Sequence, residues 1–537
     1  MSAVTLTPYR QSRAGRRFRP ILMTFLLLYS LLTGVGIVIL PPQVLFLLGI
    51  PIAIAAAVVL WMLPDQDAPA PVKTMSWLLV TFVAFNCLWP NYIALNLPGL
   101  PWISPTRILI LVMVVIGLYS YSTSRKLRAE IADDLRALPL LKNAFWVFWA
   151  ATAFSILMSG FNGFTLTRWL NNQIYWTFFF VTAVWLGTKP GVISRVAHVL
   201  VWTAILVSLE GIYEFHISEV PWSQHIPSWL IGDPVLAATI LRGHARAGTD
   251  VYRSVGTFNV SLVFAEYLAI VYPFVIHATV QAKQFWRKVL LGMGMVALLV
   301  AMWATNARSG MIGFFIAVFL YGGMAALRHW RRRRESIAGI AALSAMPLAV
   351  LVFIALALTW PRLHNMTIGG GQHQPSTDAR NAQWAMGKPK IYTHPFGYGA
   401  SQSARTLGYA NLGGNVTIDS YYLSLLLDYG FIGFFAFLAM FGGQFVSGLR
   451  LFMTSNDGEE SLSGPIVVAL INFLIIKAVL SSEFNISLAF IFLGFLFALE
   501  KRRQTAARQL PSTVATRASD AQRITRSQPS RGLIAPA

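Results

Sequence analysis

Apolar residues in this chain come in blocks of roughly 18–25, the length at which a helix crosses a hydrocarbon core of about 30 Å. Polar or basic segments separate the blocks. The pattern predicts an all-α polytopic membrane protein with about 14 transmembrane helices. The predicted spans are 21–40, 43–63, 75–93, 106–122, 142–159, 171–187, 193–213, 257–280, 287–305, 309–327, 337–359, 429–448, 464–481 and 484–499.

Basic clusters recur in alternate segments between these spans. They lie in the amino-terminal tail and at 125–142, 283–288, 328–334 and beyond 501. An excess of Lys and Arg marks the cytoplasmic side of a membrane protein. The distribution therefore predicts that both termini are cytoplasmic, and it favours an even number of spans.

This topology also predicts the domain organisation. The cytoplasmic loops are too short for a soluble catalytic domain, whereas long ordered loops on the other side are commonly functional. The predicted parts are a cytoplasmic basic tail (1–20), helices 1–11 (21–359) with a periplasmic loop near 214–254, a large periplasmic loop (360–428), helices 12–14 (429–499) and a disordered cytoplasmic tail (500–537).

Composition supports this class and excludes others. Hydrophobic residues make up 56% of the chain and charged residues 12%, against about 45–50% and about 25% in soluble domains. A soluble enzyme, a disordered protein and a nucleic-acid binder are therefore excluded despite a net charge of +21. The chain has one cysteine, scattered histidines, no HExxH motif and no phosphate-binding glycine loop between a strand and a helix. We therefore expect no metal and no cofactor.

Four arginines lie near the predicted periplasmic face, where the charge rule does not require them. Arg253 precedes span 8, Arg308 lies in the turn between spans 9 and 10, and Arg380 lies in the long loop. Arg168 lies at the edge of span 6. Because guanidinium groups form charge-assisted, bidentate bonds with phosphate, these arginines are candidates for binding a lipid diphosphate. Alternatively, they contact lipid headgroups or loop carboxylates.

Three titratable residues are candidates for the catalytic groups. Glu266 lies within span 8, where an ionisable group usually faces a cavity or a partner, although a structural, hydrogen-bonded Glu fits as well. Asp419 begins the return of the long loop to the membrane. It is a candidate proton acceptor or, alternatively, the N-cap of an interfacial helix. His394 lies in the same loop.

Tyrosines are frequent in the same part of the chain. Tyr398, Tyr421 and Tyr422 are candidates for stacking on sugar rings. Aromatic residues at this depth also form the interfacial belt of membrane proteins, which is the alternative for each of them.

Four segments resemble one known family. They are WPNYIALNLPGLPWISPTRI (89–108), RSVGTFNVSLVFAEYLAI (253–270), TNARSGMIG (305–313) and the stretch from Arg380 through HPFGYG to DSYYLSLLLDYGFIG (419–433). In order, spacing and side of the membrane they are similar to the O-antigen polymerase and O-antigen ligase superfamily, and within it to the exopolysaccharide repeat-unit polymerases of the Wzy type.

The resemblance implies a metal-independent membrane glycosyltransferase of the GT-C type. Such enzymes use undecaprenyl-diphosphate-linked oligosaccharides at the periplasmic face of the bacterial inner membrane. The family's diphosphate-binding arginines map onto Arg253 and Arg308, with Arg380 as a third. A chain-length regulator and export machinery are the expected partners.

The resemblance leaves three functions to compare. Ligases of the family usually carry a His at the return of the long loop, where this chain has Asp419 and Ser420. This difference favours an exopolysaccharide polymerase over a ligase that transfers glycan to lipid A or protein. A flippase or exporter of lipid-linked oligosaccharide is the alternative from another class.

Overall fold

The computed structural model describes residues 69–96, 102–136, 138–160, 163–241, 251–335, 337–361, 374–410, 414–455 and 458–526, with isolated positions 24, 27, 28 and 364. The predicted spans 21–40 and 43–63 lie outside the described stretches.

The described chain is helical, and its only pairing of extended backbone consists of isolated β-bridges. The helices before residue 260 are α1 (Val72–Leu88), α2 (Pro105–Thr123), α3 (Arg125–Arg136), α4 (Pro139–Met158), α5 (Gly163–Gln173), α6 (Phe179–Gly187), α7 (Val192–Ile217) and α8 (Pro234–Leu241). A π-helical turn, Ile174–Phe178, joins α5 to α6, and a 3-10 turn lies at Ser228–Leu230.

The second half of the chain continues in the same way. Its helices are α9 (Ser261–Gln281), α10 (Phe285–Ala304), α11 (Arg308–Arg332), α12 (Ile337–Thr359), α13 (Gln374–Thr393), α14 (Ser403–Leu407), α15 (Tyr421–Thr454), α16 (Ser463–Lys477) and α17 (Ile486–Arg526). A 3-10 turn, Glu459–Leu462, precedes α16 directly.

Nine helices of the described chain are long and apolar enough to cross a membrane, and α1 is a shorter apolar helix. The nine are α2, α4, α7, α9, α10, α11, α12, α15 and α16 with its preceding turn. Every predicted span from residue 75 onward coincides with one of these, with α1, with the continuous α5–α6 or with α17. The described chain therefore has the architecture of a polytopic membrane protein. The total of 14 spans, the GT-C type and the side of the termini remain predictions.

Helix α9 forms the centre of the second half of the bundle. It packs against α7, α10, α11 and α16, and its side chains are buried around nearly its whole circumference. A helix that is apolar on all sides is expected to be buried in this way. Gly310 makes the contact with α11 possible, because a Cβ there would lie 2.7 Å from the Cβ of Ala265. The amino-terminal end of α11, which carries Arg308, is thereby held close to α9.

The segment predicted as the large periplasmic loop contains ordered helices. Both α13 and α14 lie within it, and α15 begins at Tyr421, before the predicted start of span 12 at 429. At the other end of the chain, α17 extends past residue 500, where the sequence predicts a disordered tail.

Helix α15 consists of two helical segments that meet at Gly430, where φ is 68° and ψ is −169°. Only glycine adopts this region readily, and other residues there cost about 1–3 kcal/mol. A Cβ at Gly430 would also lie 2.1 Å from the carbonyl oxygen of Pro395. The kink therefore lets the chain after α13 pack against α15.

We expect Gly430→Ala to lower the unfolding temperature of the purified protein clearly more than Gly408→Ala. Gly408 is a matched control, since its φ is +71° but a Cβ there meets no heavy atom within 4 Å. Thermal unfolding in detergent measures both variants. Equal losses would show that the contact with Pro395 does not constrain this position.

Candidate functional site

The segment that carries Arg253 runs along the end of α10. The backbone N–H of Ser254 donates to the carbonyl of Ala304 at 3.1 Å. The Nε of half-buried Arg253 donates to the carbonyl of Thr305 at 3.0 Å. Because Thr305 lies three residues before Arg308, these bonds bring Arg253 to the turn that begins α11.

Arg308 is the first residue of α11 and contacts α13. One of its terminal nitrogens donates to Oγ1 of Thr377 at 3.2 Å. Arg380 lies about one turn further along α13, near enough for its charge to act on Arg308. Two guanidinium groups from separate helices thus lie close together, where an anion would relieve their repulsion.

Asp419 lies beside Arg380, at the same helix α13. Its backbone N–H donates to Oε1 of Gln383 at 2.8 Å. Burial raises the pKa of the Asp419 carboxyl, and the positive charge of Arg380 opposes this shift. Burial lowers the pKa of Arg380, whereas Asp419 raises it.

Together, Arg253, Arg308, Arg380 and Asp419 form what we call the arginine–aspartate cluster. The Nε of Arg380 is buried and has no hydrogen-bond partner among the described residues. Unpaired buried donors are rare in folded proteins and indicate a missing partner.

The N-cap of α15 is Ser420, whose hydroxyl accepts from the N–H of Leu423 at 3.4 Å. The capping role considered for Asp419 therefore belongs to its neighbour.

Glu266 lies apart from this cluster, in a buried ion pair. Its Oε1 is 2.8 Å from Nζ of Lys477, and both side chains are fully buried. Its Oε2 accepts from Nδ2 of Asn485 at 2.9 Å. Lys477 also donates to the carbonyl of Ser482 and lies 5.5 Å from the ring centre of Tyr421. The structure thus supplies the partner that a carboxylate at this depth requires. The catalytic role of Glu266 remains a prediction.

Glu483 is a charged residue that the sequence reasoning missed. Its side chain is exposed, and its carboxyl lies near enough to Lys477 and Arg168 for their charges to act on it. Desolvation by the surrounding protein raises the pKa of Glu483, while the two positive charges oppose the shift. The only signal in the sequence is an acidic residue in the short turn between two apolar helices. The charge of Arg168 therefore acts on Glu483, and its guanidinium also lies 5.2 Å from the ring centre of Phe164.

The remaining predicted residues lie in different surroundings. Tyr421 is 2% exposed, so almost none of its ring is available to a ligand. The hydroxyl of Tyr422 donates to the carbonyl of Leu474 at 2.5 Å, and that of Tyr398 donates to the carbonyl of Lys390 at 3.1 Å. His394 is exposed and contacts Tyr398, with ring centres 4.2 Å apart and ring planes inclined by 33°. Sugar binding by the three tyrosines and catalysis by His394 remain predictions.

The arrangement of potential metal ligands bears on whether the site could hold a metal ion. Within the stretches that the structure describes, no group of three or more His, Cys, Asp or Glu residues is placed to hold a metal ion. Metal independence remains a prediction.

Comparison with known proteins identifies one related family. Residues 293–438 match the family model described as O-antigen ligase. The matched segment runs from α10 into α15 and includes Arg308, Arg380 and Asp419. No curated protein matches the chain.

Proposed function

Because residues 293–438 support placing the chain in the O-antigen ligase and polymerase superfamily, we propose that it is an exopolysaccharide polymerase. It would join oligosaccharide repeat units carried on undecaprenyl diphosphate, at the periplasmic face of the bacterial inner membrane. The observation that carries the proposal is the arginine–aspartate cluster. Arg253 bonds the turn that begins α11, Arg308 at the start of α11 contacts α13, and α13 carries Arg380 beside Asp419.

The arginines match the charge that forms during sugar transfer. The bond between the sugar's anomeric carbon and the phosphate oxygen breaks, and negative charge grows on the departing lipid diphosphate. Fixed donors aimed at such a charge stabilise the transition state without reorganising. Arg308 stands at the amino-terminal end of α11, where the helix dipole adds partial positive charge. The unpaired Nε of Arg380 is a further donor for phosphate oxygens.

The acceptor sugar must lose the proton of its attacking hydroxyl. A carboxylate within hydrogen-bond reach can accept that proton. Among the predicted catalytic residues, Asp419 is half-buried and adjacent to Arg380, whereas Glu266 is fully buried in its ion pair and His394 is exposed outside the cluster. These contacts favour Asp419 as the proton acceptor.

The product of the reaction distinguishes the polymerase from its alternatives. Purified protein is supplied with a synthetic lipid-linked repeat unit, and the products are separated by length. A polymerase gives a ladder of oligomers. A ligase would transfer sugar only to added lipid A or to a protein acceptor, and a flippase would form no new glycosidic bond. Either of these results would overturn the proposal.

Asp419→Asn is expected to slow formation of the ladder at least about 100-fold, the usual contribution of a positioned general base. The matched control is Asp378→Asn, which changes an exposed carboxylate in α13 that bonds Gln374. The control should form the ladder at the normal rate. Full activity of Asp419→Asn would exclude Asp419 as the proton acceptor.

The pH dependence of the rate tests the contact between Arg380 and Asp419. A carboxylate base works when ionised, so the rate rises as the pH passes its pKa. Since the charge of Arg380 lowers the pKa of Asp419, Arg380→Gln should move the acidic limb to higher pH. Arg405→Gln, at an exposed arginine in α14, should leave the limb in place. An unmoved limb in Arg380→Gln would show that Asp419 is not the titrating group.

A further inference from the structure

A fully buried carboxylate lies beneath the segment that carries Arg253. Glu214, in the last turns of α7, is 0% exposed. Its carboxylate accepts from the hydroxyl of Tyr252 at 2.7 Å and from that of Ser254 at 2.9 Å. The residues on both sides of Arg253 are therefore bound to the same carboxylate.

The same carboxylate also holds the backbone that follows. The N–H of Val255 donates to Oε1 of Glu214 at 3.0 Å, and the N–H of Gly256 donates to Oε2 at 2.6 Å. Gly256 has a φ of +58°, which turns the chain so that both N–H groups face the carboxylate. Burying a charge is costly unless hydrogen bonds compensate for it. Among the described residues, the segment 252–256 supplies the hydrogen bonds that compensate for the burial of Glu214.

We propose that Glu214 is a positioning residue for Arg253. It fixes the backbone of 252–256, and the bonds of Ser254 to Ala304 and of Arg253 to Thr305 then hold the guanidinium at the turn that leads to Arg308. The inference rests on the proposed function, in which Arg253 binds the lipid diphosphate. It adds that the position of this arginine, which lies outside the helices, is set by a carboxylate on α7.

The chain contains a close comparison for this residue. Glu210 lies one turn earlier on α7, and both of its carboxyl oxygens are buried without a hydrogen-bond partner among the described residues. It also faces the segment, since a Cβ on Gly256 would lie 3.2 Å from its Oε2. Replacing either glutamate by glutamine makes the same chemical change in the same helix, but only Glu214 holds the segment by hydrogen bonds.

The test is a double-mutant cycle between Glu214 and Arg253, which isolates the energy of coupling between two residues. Glu214→Gln replaces one carboxylate oxygen with an NH₂ group. That group faces donors which, in the wild type, bond to the oxygen. We expect it to lower kcat/KM for the lipid-linked repeat unit at least tenfold. Glu210→Gln should stay within twofold of the wild-type value. In an Arg253→Ala background, Glu214→Gln should then change kcat/KM by less than twofold.

Other results of this cycle would contradict either the role of Glu214 or the role of Arg253. The same loss from Glu214→Gln in both backgrounds would show that it acts on the fold in general, which overturns the inference. Full activity of Glu214→Gln would overturn it as well. Full activity of Arg253→Ala would remove the diphosphate role of Arg253, and the inference with it. If Glu214→Gln does not fold, Tyr252→Phe and Ser254→Ala each remove one donor and enter the same cycle with the same expected coupling.

Discussion

Replacement of Arg308 by alanine is expected to lower the rate of ladder formation at least about 100-fold, the loss typical when one fixed donor to a developing anion is removed. Arg308 contributes a charge at the start of α11, and Arg253 and Arg380 converge on the same end of that helix. Under the proposed function, Arg308→Ala would remove the donor at the start of α11 from the departing diphosphate, while Arg253 and Arg380 remain.

Arg308→Lys tests whether the positive charge alone is sufficient or whether the planar guanidinium is required. Lysine keeps the positive charge but lacks the planar fork that binds two phosphate oxygens at once. We expect a rate between those of the wild type and Arg308→Ala. Arg405→Ala is the control, since it removes an exposed arginine of α14 outside the cluster. Initial rates and unfolding temperatures are measured for all three variants. Folded Arg308→Ala protein with a rate within twofold of the wild type would rule out contact with the leaving group.

The long apolar helices of the described chain were predictable because crossing a membrane requires long apolar blocks, and the sequence shows these directly. Helix α13 was not predictable in the same way. Its sequence, QPSTDARNAQWAMGKPKIYT, has few apolar residues and two prolines. Tertiary contacts stabilise it instead: Gly387 packs so closely on α15 that a Cβ would lie 2.7 Å from Leu423. Such contacts leave no periodic signal in the sequence.

The residues proposed for the site could be selected from the sequence more easily than their arrangement. An arginine on the side of the membrane where the charge rule does not require it is visible in the sequence. The residues that bring these arginines together are not, because they are distant along the chain. Arg253 bonds a carbonyl 52 residues away, and Arg308 bonds a hydroxyl 69 residues away. The pairing of Glu266 with Lys477 depends in the same way on how α9 packs against α16.

This buried pair gives the second large expected effect. Lys477→Met should lower the free energy of unfolding by about 3–5 kcal/mol, because it leaves the carboxylate of Glu266 buried without its cation. Lys189→Met is the control. Lys189 pairs with Glu130 at 2.9 Å, but their side chains are 30% and 32% exposed. An exposed pair of this kind contributes under about 1 kcal/mol. Unfolding in detergent measures both losses.

Adding Glu266→Gln to Lys477→Met should restore most of the lost stability, since a neutral pair leaves no buried charge and the amide oxygen still accepts from Asn485. We also expect this double variant to form the ladder, because the carboxylate of Glu266 is enclosed by Lys477 and Asn485 and fully buried. A double variant that folds but forms no polymer would contradict this expectation and would make Glu266 a catalytic residue. Stability and activity measured together therefore distinguish an ion pair that supports the fold from a carboxylate that takes part in sugar transfer.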